Sequence, residues 1–132
     1  MRRWITPLTV AVGVLAFAAT PASATKPETT FNATLSAPTP GATTCTGLLT
    51  VTFDWAGKGG VTELLYQPDP ADTATFPALG AGGVIFSKPT KRFTQTVFYE
   101  MTAGTGQIDV IPVSSPASTG TKSNVVTCTP TG

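Results

Sequence analysis

The sequence offers few side chains for catalysis, and the pair best placed for acid–base chemistry is Asp54 with Glu63. The chain contains no histidine, which removes the Ser-His-Asp and Cys-His types of catalytic site. Because the two carboxylates flank one turn, a glycosidase-type pair within about 10 Å is one hypothesis. The alternative, which we favour, is that both are outward, solvated strand residues.

Asp69 and Asp72 form a second acidic pair, in the stretch QPDPADT. Carboxylate oxygens suit a calcium ion, but the stretch lacks the pattern of a calcium-binding loop, and Asp and Pro are common in turns. We interpret both residues as turn formers. Since the two cysteines of the chain are also too few for a structural zinc site, we expect neither a metal nor a cofactor.

Exposed aromatic residues indicate binding rather than catalysis. Phe98 has outward parity in its strand, and Phe76 and Phe86 lie in or beside an irregular segment at 72–83. An outward aromatic residue can belong to an interaction patch, although single exposed apolar residues are common on monomers. We take the three phenylalanines as a candidate binding surface. Trp55 has inward parity, so we expect it in the core rather than as a ligand platform.

Lys88, Lys91 and Arg92 form the only basic cluster of the sequence. Such a cluster can contact an anionic polymer such as a wall polysaccharide, and we include its residues in the candidate binding surface. The alternative, which we favour, is a solvated connection whose charges protect a strand edge. Charged residues make up only 11% of the chain, so no strong field attracts nucleic acid, and we expect no nucleic-acid partner.

The first 24 residues have the pattern of a bacterial signal peptide. Arg2 and Arg3 precede an apolar run at 8–19, and a small-residue motif ends at Ala24. We predict export by the general secretory route, cleavage after Ala24 and an extracellular location. Twin-arginine export and an uncleaved N-terminal anchor are the alternatives. No later apolar run approaches the roughly 20 residues that a membrane span needs, so we expect no transmembrane segment in the mature chain.

Cleavage after Ala24 leaves residues 25–132, a length typical of one domain. Cys45 and Cys128 are the only cysteines, and in a small exported chain two cysteines are more often paired than free. We predict one intramolecular disulfide that closes most of the mature chain. Disulfides with long loops typically stabilise a protein by about 2–4 kcal/mol.

Strands position all of these residues. Leu49, Val51 and Phe53 share the parity of Cys45 within residues 45–55, and this period-two pattern predicts a half-buried strand. Further strands are predicted at 31–37, 61–67, 84–86, 93–101, 108–113 and 123–129. The facing of the strand at 61–67 is ambiguous, and Tyr66 there can serve as a solvated edge residue. We predict an all-β fold, a seven-stranded antiparallel β-sandwich, as a single domain.

Three stretches resemble a fibronectin type III domain. VTFDW with the glycine turn and VTELLYQ resembles the second and third strands of that family, in which a core tryptophan closes the second strand. MTAGTGQIDV resembles the corner between its fifth and sixth strands, and residues 113–130 resemble its final loop and closing strand. The resemblance implies that Cys45 and Cys128 lie at one end of the domain, in strands of opposite sheets, so that the disulfide joins the sheets.

Two residues depart from this family pattern. Ile108 stands where the family has a corner tyrosine, and Pro112 lies in a strand that should be central. A proline in such a strand removes a ladder hydrogen bond, which implies either a bulge or a different strand order. A generic immunoglobulin-like sandwich is therefore the alternative fold.

These patterns predict a secreted, non-enzymatic β-sandwich that binds a cell-envelope polysaccharide, another envelope component or a protein partner. One alternative is a carrier of a small apolar ligand in the cleft of the sandwich. A second is a small extracellular hydrolase that uses Asp54 and Glu63. The fold alone does not decide among them.

Overall fold

The computed structural model describes residues 28–79 and 82–132, so the predicted signal peptide lies outside the described residues. All eleven elements of this part are strands: β1 Thr30–Leu35, β2 Thr39–Pro40, β3 Thr44–Asp54, β4 Gly60–Pro68, β5 Ala78–Leu79, β6 Gly83–Thr90, β7 Arg92–Thr102, β8 Gly104–Gly106, β9 Ile108–Ser115, β10 Thr121–Lys122 and β11 Val126–Cys128. Within these ranges no helix is long and apolar enough to cross a membrane.

The strands form three antiparallel sheets. The first, here called the β3 sheet, has the order β1-β3-β7-β5, with β2 also paired to β3. The second, the β4 sheet, has the order β10-β9-β4-β6. The third is the small pair β11-β8. The prediction of an all-β antiparallel fold is confirmed, and the arrangement is compatible with a β-sandwich.

One hydrophobic core joins the three sheets. Strand β3 contributes Cys45, Leu49, Val51 and Phe53, all buried as their parity predicts. The other strands and their loops add Leu35, Val61, Leu64, Tyr66, Tyr99, Met101, Ile108, Val110, Val126 and Cys128. Trp55, just after β3, is also buried and donates its indole N–H to the Lys58 carbonyl at 2.8 Å. Its predicted core position is confirmed.

A bulge in β4 resolves the ambiguous facing of that strand. Val61 pairs with Ser114 and Glu63 with Val113, so Thr62 has no partner of its own in β9. Its hydroxyl donates to the Val113 carbonyl at 3.1 Å. The extra residue shifts the alternation by one position, so Val61, Leu64 and Tyr66 all point inward.

Tyr66 is therefore a core residue, and its expected role as a solvated edge residue is wrong. Its hydroxyl donates to the Gln95 side-chain oxygen at 2.8 Å, and burial raises its pKa to about 12. Pro112 pairs with Leu64 beside the bulge of β4. Pro112 therefore does lie within a strand, β9. The bulge that a proline at this position implied is in the paired strand β4.

The seven predicted strands correspond to β1, β3, β4, β6, β7, β9 and β11, and the described residues add four short strands, β2, β5, β8 and β10. The segment interpreted as a basic connection is strand: β6 continues to Thr90, and a single residue, Lys91, separates it from β7. The last predicted strand, 123–129, is strand only at β11, and β10 lies just before the predicted range. Between β10 and β11, buried Ser123 accepts a hydrogen bond from the Ile108 N–H and donates its own N–H to the Ile108 carbonyl, both at 2.8 Å.

The predicted disulfide between Cys45 and Cys128 is confirmed, with 5.7 Å between the Cα atoms. Cys45 lies in β3, and Cys128 lies in β11, whose strand partner is β8. The bridge therefore ties the β3 sheet to the small β8–β11 sheet. It does not join the β3 sheet directly to the β4 sheet, as the resemblance implied.

Candidate functional site

The outer face of the β3 sheet carries two rows of small polar side chains. Strands β1, β3 and β7 pair in continuous register, so residues of like parity align across all three. One row is Thr34, Thr50 and Thr96, and the next is Asn32, Thr52 and Thr94. We call these six residues the threonine face. All are exposed or half-buried, and the hydroxyls of Thr50 and Thr96 lie 3.2 Å apart, within hydrogen-bond distance.

The sequence produces this face because apolar residues alternate with it. The inward neighbours Leu49, Val51 and Phe53 fix which side of β3 is buried, and Thr50 and Thr52 must then face outward. Threonine suits such a position because its branched Cβ fits extended backbone and restricts χ1. The result is a polar surface whose side chains have few rotamers to lose on binding.

An exposed apolar pair adjoins the threonine face. Leu48 of β3 and Phe98 of β7 are direct cross-strand partners, with 50% and 56% of their surfaces exposed. They occupy the row next to Thr50 and Thr96. The outward orientation predicted for Phe98 is confirmed. Leu48 was missed, although its parity in β3 is opposite to that of buried Leu49 and therefore predicts exposure.

Charges at the two ends of this face have partners. Beyond Thr52 and Thr94, Arg92 Nε lies 3.4 Å from Asp54 Oδ1, and both side chains are largely exposed. A surface depression of about 340 Å³ lies at this end. At the other end, the Glu100 carboxylate accepts a hydrogen bond from the Thr44 hydroxyl at 2.9 Å.

The other predicted aromatic residues are not surface groups. Phe76 is only 8% exposed and packs against Tyr99 with 6.0 Å between ring centroids. Phe86 is half-buried, with its ring edge-to-face against Phe53 and Phe93 at centroid distances of 6.0 and 5.0 Å. Their expected exposure is wrong, because sequence position beside an irregular segment says nothing about which way a side chain packs. Phe98 alone of the three presents an open ring.

The basic cluster is divided among three elements. Lys88 is exposed on β6, in the β4 sheet. Lys91 lies in the turn, where its ammonium donates to the Gly57 carbonyl. Arg92 begins β7 in the other sheet and pairs with Asp54. Because the turn at Lys91 connects the two sheets, Lys88 and Arg92 are close in sequence but belong to different sheets.

Asp54 and Glu63 do not form an acid–base pair. Asp54 lies on the outer face of the β3 sheet, whereas Glu63 belongs to the β4 sheet. Glu63 pairs there with two exposed residues, Ile85 and Val113, and so faces outward on the opposite side of the core. The hydrolase hypothesis loses its candidate carboxylates.

Asp69 and Asp72 form a turn, as interpreted from the sequence. Asp69 Oδ1 accepts from the Ala71 N–H at 2.9 Å, and the Asp72 oxygens accept from the N–H groups of Asp69 and Gln107 at 3.1 and 2.9 Å. The remaining Asp69 oxygen binds the Lys122 ammonium. Within residues 28–79 and 82–132, no group of three or more acidic, Cys or His residues that could hold a metal is present.

Lys122 also contacts Asp109, at 3.1 Å, so its ammonium binds the carboxylates of both Asp69 and Asp109. Hydrogen bonding from Lys122, followed by that from the Ala71 N–H, lowers the pKa of Asp69 to about 2. Burial raises the pKa of Asp109. This cluster ties the turn to β9 and β10, which indicates a structural role.

A second depression, of about 480 Å³, lies on the surface beside Tyr66, Phe76 and Leu79. Core side chains lie between the sheets, and several of them are completely buried. This surface depression is the candidate place for a small apolar ligand.

Protein-family models, curated proteins and solved structures were all compared with the chain, and none of them matches it.

Proposed function

We propose that the protein is a secreted, non-enzymatic β-sandwich module, similar to a fibronectin type III domain, that binds a cell-envelope component or a protein partner. The observation that carries the proposal is the exposed pair Leu48 and Phe98 beside the threonine face on the long β3–β7 ladder. Eleven consecutive residue pairs hold this ladder, so the contact groups are already ordered before binding, which lowers the entropic cost of association.

The strand order supports the fibronectin type III resemblance over the immunoglobulin alternative. Constant-type immunoglobulin domains place their fourth strand in the sheet of strands one, two and five. Here the fourth long strand, β6, pairs with β4 instead. The signal-peptide pattern at 1–24 supports secretion, and the disulfide is typical of an oxidising compartment.

The carrier and hydrolase alternatives have less support. The support for a carrier is the surface depression beside Phe76, which is open to solvent rather than enclosed between the sheets. The hydrolase needs Asp54 and Glu63 together, and they lie on opposite faces.

Retention on envelopes tests the proposed function. The full-length gene is expressed in the producing organism, and the purified product is sedimented with envelope fractions of the same cells. We expect the protein to co-sediment, and Phe98→Ser to weaken retention more than tenfold, because exposed aromatic residues often dominate binding energies.

Ile85→Ser is the matched control, because Ile85 is an even more exposed apolar residue on the opposite sheet, at 81%. Recovery of the wild-type protein only in the free soluble fraction would overturn the proposal. Equal retention of the Phe98 and Ile85 variants would show that binding uses another surface.

A further inference from the structure

The threonine face is a regular array of uncharged hydrogen-bonding groups. Adjacent strands lie about 4.8 Å apart and alternate residues along a strand about 7 Å apart. Three strands and three rows, including the row of Leu48 and Phe98, therefore span about 10 Å by about 14 Å. Pairing among β1, β3 and β7 holds the backbone of this strip in place.

Its chemistry is matched to a ligand that is both hydroxylated and partly apolar. Each threonine hydroxyl can donate and accept a hydrogen bond, and the Asn32 amide can do both as well. Leu48 and Phe98 add an apolar surface at one end. The ring of Phe98 offers a flat face on which aliphatic C–H groups pack. Sugar units combine these two characters, since their rims carry hydroxyls and their ring faces carry C–H groups.

The charge distribution favours a neutral ligand. None of the eight side chains in the strip is ionisable. The charges next to it already have partners, because Arg92 pairs with Asp54 and Glu100 accepts from Thr44. An anionic polymer would find no unpaired cationic side chain on this face. Any charged polymer would give up hydrating water there without gaining an ion pair in exchange.

The dimensions favour a single chain over a folded protein partner. A stable protein–protein interface buries about 800 Å² on each side around an apolar centre. With the full width of each strand and row included, the strip covers about 300 Å², and two of its three rows are polar. Such a footprint fits a few consecutive units of a linear polymer.

We propose that the threonine face, together with Leu48 and Phe98, binds a neutral polysaccharide of the cell envelope. This proposal rests on the proposed function and names its ligand class. Each sugar contact is weak, so the affinity comes from several hydrogen bonds and the contact with Phe98. The basic residues Lys88 and Lys91 lie outside the strip and take no part.

The test uses envelope polysaccharide that protease treatment has freed of protein and that anion exchange has divided into neutral and anionic fractions. We expect the full-length gene product to bind the neutral fraction. The double variant Thr52→Val with Thr94→Val keeps the branched shape but removes two hydroxyls. Two lost hydrogen bonds predict an affinity lower by about tenfold or more.

Two control variants separate lost contacts from lost structure. Thr52→Ser with Thr94→Ser keeps both hydroxyls and should bind nearly as the wild type. Thr119→Val with Thr127→Val removes two hydroxyls elsewhere on the described surface and should leave binding unchanged. Circular dichroism of each variant checks that the fold is retained.

The outcomes distinguish this inference from the proposed function. Binding to intact envelopes that is lost after protease treatment, with no binding to the neutral fraction, would overturn the polysaccharide proposal but leave a binding module with a protein partner. Binding only to the anionic fraction would also overturn it. Absence of binding to intact envelopes and to both fractions would overturn both proposals.

Discussion

The Asp69 carboxylate is largely buried and binds the Lys122 ammonium. Hydrogen bonds from Lys122 and from the Ala71 N–H lower its pKa to about 2, against about 3.9 for an unperturbed aspartate. A carboxyl group whose pKa is lowered by folding stabilises the folded state at pH values above its unfolded pKa. That contribution is lost as the pH falls from about 4 to about 2.

We therefore predict that Asp69→Asn loses less stability than the wild type between pH 5 and pH 2. The asparagine can still accept from the Ala71 N–H but carries no charge to lose. Urea unfolding at both pH values measures the difference. Asp54→Asn is the control, since the Asp54–Arg92 pair is largely exposed and should contribute little. Equal acid sensitivity of Asp69→Asn and the wild type would contradict the assignment.

The glycine at position 47 cannot be explained from the alternation of its own strand. It has the inward parity of β3, where the alternation predicts an apolar side chain, yet an added Cβ would lie 2.5 Å from Cε2 of Tyr99. The Tyr99 hydroxyl donates to the Ser36 carbonyl at 2.7 Å. The glycine thus leaves room for a ring from β7, a requirement that arises only when the two strands are paired.

At the scale of elements, the edge strand β1 is held by a side chain as well as by β3. Asn124, between β10 and β11, accepts from the Leu35 N–H at 2.7 Å and donates to the Leu35 carbonyl at 3.0 Å. Its amide therefore pairs with the backbone of β1 as a neighbouring strand would. This contact links the first strand to the last part of the chain.

Asn124→Ala should free both backbone groups of nearly buried Leu35 and destabilise the protein by about 1–3 kcal/mol. Hydrogen exchange measured by NMR should become faster at the Leu35 amide than at amides in the centre of β3. Asn32→Ala, on the exposed side of β1, is the comparison and should leave Leu35 protected. Unchanged exchange at Leu35 in Asn124→Ala would show that β3 alone holds this strand end.

Strands with strict alternation could be predicted from the sequence, and those whose course depends on a neighbour could not. The parity of β3 correctly places Cys45, Trp55 and the outward threonines, because one buried face fixes all positions of a regular strand. The bulge at Thr62 reverses the inward and outward alternation within β4, and no residue type near it indicates a bulge. Ser123 was predicted to begin the last strand, but it hydrogen-bonds to Ile108 instead, and this contact likewise depends on a neighbouring strand.

The candidate site was predicted in part for the same reason. Phe98 was found because its strand alternates. The rows of the threonine face depend on the register of β1 and β7 against β3, which a single strand does not reveal. Phe76 was misplaced because its segment has no period, so its contact with Tyr99 is set by tertiary packing alone.

At the scale of the whole molecule, the disulfide connects elements that are far apart in sequence. Cys45 and Cys128 are 83 residues apart, and the bridge ties β3, which carries the threonine face, to β11 near the end of the chain. In the chain-entropy account, a cross-link over so long a loop restricts the unfolded ensemble. The small β8–β11 sheet has only three residue pairs, and the bridge adds a covalent link from β11 to the β3 sheet.

Reduction of the disulfide should therefore lower the free energy of unfolding by about 2–4 kcal/mol, a large fraction of the stability expected of a small domain. Urea unfolding with and without dithiothreitol measures this change. The variant Cys45→Ala with Cys128→Ala is the control, because reductant should not affect it further.

If reduced and oxidised protein unfolded at the same urea concentration, the bridge would not be what holds β11 to the β3 sheet. If instead stability fell while β3 amides stayed protected from exchange, β11 would be detaching locally, and the threonine face would keep its geometry without the bridge.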